Sequence, residues 1–179
     1  ISNAATPTLT GSINTPTDAW DLTVSGAYAY VASDDLGFYI INVSNLSVPT
    51  RMSSLSAACA LEVAVSGNYA YIAMWETGLR IINISNASTP TVTSTYDTPG
   101  ISYGIFLSGA YAYVADWNAG LCIFNVSDVA VPTRTGIFDT TGLADSVVVS
   151  GAYAYVVDRT LGLQVINISD AANPMLAPP

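Results

Sequence analysis

The dipeptide Ser-Gly recurs at residues 25–26, 66–67, 108–109 and 150–151, at spacings of 41, 42 and 42 residues. Each copy keeps the same company: Tyr-Ala-Tyr just after it, a Gly that reopens an apolar run, then Asn-x-Ser. A unit of this size cannot bury its own apolar faces. A fixed period near 42 therefore means units stacked on their neighbours, with the core built between them.

Each unit opens at Pro and Thr: Pro7-Thr8, Pro49-Thr50, Pro90-Thr91 and Pro132-Thr133. On this reading the units span residues 7–48, 49–89, 90–131 and 132–173, and 174–179 begin a fifth, with Met175 in place of Thr. Four strand-like runs, a to d, follow each Pro. In the third unit they are Thr91–Tyr96, Tyr103–Leu107, Tyr111–Ala115 and Leu121–Val126. Short β-branched and aromatic runs punctuated by Gly and Pro are strand signals, and no helical period competes with them. Ser-Gly between b and c reads as a tight hairpin in which Gly supplies a positive φ. Gly37, Gly78, Gly120 and Gly162 close the longer c–d link. The expected fold is all-β: four four-stranded antiparallel blades of a β-propeller. The alternative is half of an eight-bladed ring completed by a second chain.

Strand c carries the packing logic. Tyr-Ala-Tyr at 28–30, 69–71, 111–113 and 153–155 accounts for eight of the eleven tyrosines. Period-2 alternation puts both rings on one face and Ala on the other. The large face of one unit is expected to meet the small face of the next.

Composition narrows function by exclusion. Charged residues make up 9% of the chain, the net charge is −9, and there is no His and no Lys. A phosphate-binding footprint is missing, so nucleic acid is a poor partner. No apolar run reaches the roughly 18–20 residues of a membrane span. Without His or Lys, a hydroxyl nucleophile lacks its usual base. No catalytic residue, cofactor or metal site is expected. Cys59 and Cys122 fall at different points of the repeat and read as two free thiols.

The string Ser-Gly-x-Tyr-Ala-Tyr-Val-Ala, then Gly-Leu-x-Ile-Ile-x-Val-Ser, then Pro-Thr, resembles the LVIVD-repeat family. The best copies are Ser66–Thr91 and Ser108–Thr133, and the resemblance covers essentially the whole chain. It implies a β-propeller fold and bacterial or archaeal secreted or surface proteins, and it brings no catalytic residues. The chain departs from the family in reading Asn42, Asn83, Asn125 and Asn167 where Asp is usual, and in holding four repeats where members often hold more.

Three constellations remain. The Asn substitutions create Asn-x-Ser sequons at Asn42, Asn83, Asn125 and Asn167, with two more at Asn45 and Asn86. They read either as glycan acceptors or as strand-end Asn bonded to nearby amides. Secondly, the a–b and c–d loops emerge on one face of such a unit. They carry Trp20, Trp75, Glu76, Tyr103, Asp116 and Trp117, with Asp18, Asp34, Asp35, Asp145 and Asp158 nearby. Aromatic rings beside carboxylates suit sugar rings or a protein partner. The bland alternative is that these residues cap the blade ends. Thirdly, residues 1–8 match 168–175, so the surplus segment with Met175, Leu176 and Pro178 is a candidate for pairing with a neighbouring copy. The function expected is a non-enzymatic extracellular or cell-surface structural or adhesive module that self-associates as a dimer or filament. The alternative is a propeller binding carbohydrate or protein at its Trp- and acid-rich face.

Overall fold

The glycines of the repeat fold it into hairpins. Gly26, Gly67, Gly109 and Gly151 all take φ between 55 and 59°, the left-handed region that a two-residue hairpin turn requires of its first central residue. The computed structural model describes residues 5–34, 37–56 and 59–177. Asp35 and Pro178 lie outside them.

The first sheet holds β1 (Ala19–Ser25), β2 (Tyr28–Ser33), β3 (Gly37–Asn42) and β4 (Thr50–Leu55). The second holds β5 (Glu62–Ser66), β6 (Tyr69–Ala73), β7 (Leu79–Asn83) and β8 (Thr91–Tyr96). The third holds β9 (Gly104–Ser108), β10 (Tyr111–Ala115), β11 (Leu121–Asn125) and β12 (Thr133–Phe138). The fourth holds β13 (Ala144–Ser150), β14 (Tyr153–Asp158), β15 (Gly162–Asn167) and β16 (Met175–Leu176). Every sheet is an antiparallel meander in chain order, and no helix occurs among the described residues.

The blade count of four is as expected, but the phase of the blades differs. The strand after Pro-Thr does not open a new blade. It closes the preceding one: β4 pairs with β3, β8 with β7 and β12 with β11. The sheets thus run 19–55, 62–96, 104–138 and 144–176, not 7–48, 49–89, 90–131 and 132–173. The reason is local. The Asn-x-Ser turn folds the chain straight back, so that Asn42 faces Thr50 and Asn83 faces Thr91, whereas the chain leaves the sheet after β4 and β8. It follows that residues 174–177 are not the start of a fifth repeat. Met175 and Leu176 pair with Asn167 and Ile166 and complete the chain's own fourth sheet. They are not left free for a neighbour. Residues 8–13, read as the first strand a, lie outside the sheets.

The core sits between sheets. Tyr30, Ala32, Phe38 and Ile40 of the first sheet pack on Val63, Ala70, Ile72 and Ile82 of the second. Tyr71, Leu79 and Ile81 pack on Ile105, Ala112 and Phe124. Tyr113, Leu121 and Ile123 pack on Val147, Ala154 and Ile166. Large face thus meets small face at three seams, as the alternation predicts. At about 25 cal/mol per Å² of apolar surface, these seams supply most of the folding drive.

The series stops at both ends. Tyr113 is 5% exposed, whereas Tyr155, at the same repeat position, is 37% exposed. Leu121 is fully buried and its counterpart Leu163 is 63% exposed. On the other flank Val63 is 4% exposed and its counterpart Leu22 is 61% exposed. The large face of the fourth blade and the axis-side half of the first blade's small face are both uncovered, so the four blades form an open arc. The outer half of that small face, Ala29, Val31, Tyr39 and Ile41, is covered by Ile13 from the segment before β1.

Candidate functional site: the loop face and its central cavity

The four first strands bring their leading residues around one cavity of about 820 Å³. Trp20, Asp21 and Asp34 line it from the first blade, Leu61, Glu62 and Trp75 from the second, Tyr103 from the third, and Asp145 and Arg159 from the fourth. Cys59 and Ser146 complete the wall. Among the candidates read from sequence, Trp20, Trp75 and Tyr103 line the cavity, and Trp117 stacks on Tyr103 with centroids 4.5 Å apart and planes 22° apart. Trp75 also packs on Tyr103, with centroids 5.1 Å apart and planes 54° apart. The Arg159 guanidinium sits 4.8 Å from the Trp117 ring centroid and 5.3 Å from that of Tyr103, and is ion-paired with Asp145 at 2.6 Å. A planar cation over aromatic faces is attracted by the ring quadrupole.

The loops at this face are tied together across the blades. Ser102 N–H donates to the Trp75 carbonyl at 3.0 Å, and Trp117 and Ala144 exchange two backbone bonds. Trp75 and Trp117 take φ of 45 and 49°, a left-handed conformation that such bulky residues adopt rarely. The inter-blade bonds hold them there.

Two expected site residues are placed elsewhere. Asp116 is fully buried and accepts bonds from Thr98 Oγ1 at 2.6 Å, Ser102 Oγ at 2.9 Å and Gly100 N–H at 2.8 Å. It anchors the loop that enters the third blade and does not face a ligand. A charge at zero exposure needs such a shell, and the loop's hydroxyls supply it. Asp158 does the same one blade on, accepting from Thr140, Thr160 and Leu161. Burial opposes its ionisation, yet the bonds from Thr160, Thr140 and backbone amides hold its carboxyl well below the usual range. The corresponding residue of the first blade, Ser33, donates to the Asp18 carbonyl. Gly142 is required here, because a Cβ would collide with the Asp158 carboxylate. Glu76 is exposed and lies away from the cavity wall.

Two carboxylates of the site were missed in the sequence, as was Arg159. Asp21 and Glu62 stand four positions before their Ser-Gly, where the third and fourth units have Gly104 and Ser146. Each reaches across a seam: Val63 N–H donates to Asp21 Oδ2 at 2.9 Å, and Ile105 N–H to Glu62 Oε2 at 3.0 Å. Burial pushes the Glu62 carboxyl up to about 7; the Ile105 amide opposes this, and Asp21 and Asp145 add to it. The recurrence of an acid at one repeat position was the available signal.

On the opposite face, every sequon Asn forms a turn with its own Ser. Asn42, Asn83, Asn125 and Asn167 accept from the amides of Ser44, Ser85, Ser127 and Ser169 through Oδ1. Asn45 and Asn86 accept likewise from Ser47 and Ser88. Asn45 and Asn86 are exposed and the four strand-end Asn are half-buried. Each pair lies at the far end of its strand from the c–d loop, so sequons and tryptophans occupy opposite rims. Cys122 is a buried free thiol, and Cys59 is half-buried.

Four-stranded sheets packed large face on small face, with their first strands around one cavity, define a β-propeller repeat protein. Residues 16–56, 58–98, 99–140 and 141–178 match the LVIVD repeat, with bounds that follow the observed sheets. The chain belongs to the LVIVD repeat family.

Its fold is similar to that of the computationally designed Ika4 protein, with a TM-score of 0.74 and 5% identity over 90% of this chain and 98% of that one. A functionally unknown protein from Desulfotomaculum acetoxidans DSM 771 gives 0.75 and 18% identity over 93% of this chain and 57% of that one. The RRP9 WD40 repeats give 0.75 and 13% identity over 92% and 52%. The chain thus spans about half the length of the last two. Among curated proteins none matches the sequence.

Proposed function

We propose that this chain is a self-associating structural or adhesive module of the cell surface or extracellular space, working by assembly and binding rather than catalysis. The observation that carries the reading is the uncovered large face of the fourth blade. Tyr155, Val157 and Leu163 stand exposed on a surface whose equivalents are buried in the other three blades, and Tyr153, half-buried at that place in the others, is exposed beside them. A contiguous apolar patch of this kind marks an interaction site. Leu22 and Val24, exposed on the first blade, are the residues whose counterparts cover that face elsewhere. A second copy therefore offers the fitting surface, head to tail, either as a two-chain ring or as a filament. The sparse charge of the chain and its six sequons support an extracellular setting, with glycans on exposed Asn45 and Asn86.

Sedimentation velocity at tens of micromolar tests the assembly. Wild type is expected to sediment as a dimer or larger, and Leu163→Asp as a folded monomer. A monomeric wild type would sink the reading. Intact mass of protein purified from its source tests the glycans.

A second reading, a carbohydrate- or protein-binding face, is favoured by the cavity itself, where Trp20, Trp75 and Tyr103 stand beside Asp21, Asp34 and Glu62. Glycan-array binding lost in Trp20→Ala would support it, and an array without response would remove the sugar.

A further inference from the structure

The segment before β1 behaves as the outer strand of a blade preceding the first sheet. Four outer-strand sequences can be laid side by side: Thr50–Leu55, Thr91–Tyr96, Thr133–Phe138 and Thr8–Ile13. The third position after Thr makes the same contact in each. Ser53 Oγ donates to the Ala87 carbonyl at 2.7 Å, and Ser94 Oγ to the Val129 carbonyl at 2.7 Å. Gly136 lies so close to the Ala171 carbonyl that a Cβ would collide with it. Gly11 stands against the Leu46 carbonyl in the same way. Ala87, Val129, Ala171 and Leu46 are the same residue of the Asn- or Asp-led turn in successive blades. The fifth position agrees as well. Leu55, Tyr96 and Phe138 each pack into the seam with the following blade, and Ile13 packs against the first blade's Ala29 and Ile41 cluster. Residues 8–13 thus sit where the fourth strand of a preceding blade belongs, already docked on the first blade.

The fourth blade has the converse shortage. β15 has six residues, but β16 pairs only with Ile166 and Asn167 of it, and Ala177 N–H adds one bond to the Val165 carbonyl at 2.8 Å. The residues after Ala177 are Pro178 and Pro179, which carry no N–H for a ladder. The half of the outer edge of β15 from Gly162 to Gln164 is left for another strand.

We infer that, in the assembled form, residues Thr8–Ile13 of one copy supply the fourth strand of the fourth blade of the next copy, along β15 and in place of Met175–Leu176. This rests on the head-to-tail reading above. The occupant is a second copy because the exposed large face of β14 and β15 and the exposed Leu22 and Val24 meet in the same docking step. The docked segment then lies beside β15 without leaving its place. The register of β11 on β12, with Cys122 opposite Ile137 and Ile123 opposite Gly136, carries over and puts Gln164 opposite Ser12 and Val165 opposite Gly11.

Paired cysteines test it. Ser12→Cys and Gln164→Cys are made in separate chains, each with Cys59→Ser and with buried Cys122 retained. One chain carries a tag that changes its mass. The chains are mixed and oxidised with copper–phenanthroline, after sedimentation and far-UV spectra have shown each folded and associated. The expected result is a disulfide-linked pair of the summed mass as the main product. A control mixture of Ser12→Cys with Ser150→Cys, which is placed on the far rim, should give almost none. If the variants associate but form no mixed disulfide, the strand exchange is overturned while head-to-tail assembly stands. If a chain carrying both cysteines links only to itself as a monomer, the segment closes its own ring and the inference is wrong. A wild type that stays monomeric removes the underlying reading, and the sedimentation run reports that separately.

Discussion

Tyr113 and Tyr155 are the same residue of the repeat in two environments, and the difference is measurable. Tyr113→Ala is expected to cost about 3–5 kcal/mol, the range for truncating a buried aromatic. Tyr155→Ala at concentrations where the chain is monomeric should cost less than about 1 kcal/mol, as for a surface change. Urea denaturation checks both. Glu62 gives a pH signature. Its folded pKa of about 7 lies above the ordinary 4.5, so the native state holds its proton longer than the unfolded chain does. Stability from this group is full below about pH 4.5 and declines as pH rises towards 7. The decline should amount to roughly 1–3 kcal/mol, given 1.36 kcal/mol per unit. Glu62→Gln keeps an acceptor for Ile105 N–H and should flatten that slope, leaving the variant more stable than wild type at pH 8. Asp158 has the opposite sign. Its depressed pKa contributes stability present above the ordinary carboxylate range and lost on acidification through the folded value. The aromatic half of the cavity could be read from Trp20, Trp75 and Tyr103, because large residues at loop positions stand out. Asp116 misled, because composition does not tell a loop anchor from a ligand group. Only its bonds to Thr98, Ser102 and Gly100 do.

At the scale of the strand, periodicity determines the length of a blade but not where it begins. Cutting the repeat before or after the Pro-Thr strand gives the same spacing of Ser-Gly. The choice is made by the Asn turn, which sends β4 back along β3. The same bond that caps the strand-end Asn therefore also sets the phase of the blade. With the phase corrected, the two terminal segments exchange roles. Removal of residues 175–179, which takes away a competitor for β15, should leave sedimentation unchanged or move it to larger species. Removal of residues 1–13, which takes away the docked strand, should shift the protein to monomer and expose Tyr39. The far-UV spectrum should stay β-rich in both.

At the scale of the molecule, the proposed assembly would bring together copies of net charge −9 through an apolar face. Raising salt from low to physiological strength should therefore strengthen association, because screening relieves the repulsion and the apolar contact is indifferent to it. The opposite trend in sedimentation would mean that ion pairs hold the copies together. Within one copy the seams are unequal. A carboxylate from the first strand of one blade grips the backbone of the next at the first two seams, through Asp21 and Glu62, while the third seam has Gly104 at that place. In a stacked array, stability is a sum over neighbours, and opening starts at the weakest junction nearest an end. The fourth blade lies at an end, and its seam lacks that carboxylate, although the Trp117–Ala144 backbone pair and Arg159 bridge it. Amide hydrogens of β14 and β15 should exchange ahead of those of β6 and β10, as a group, and assembly should slow them most. In the proposed assembly, the end blade expected to open first is thus also the one whose face meets the neighbouring copy.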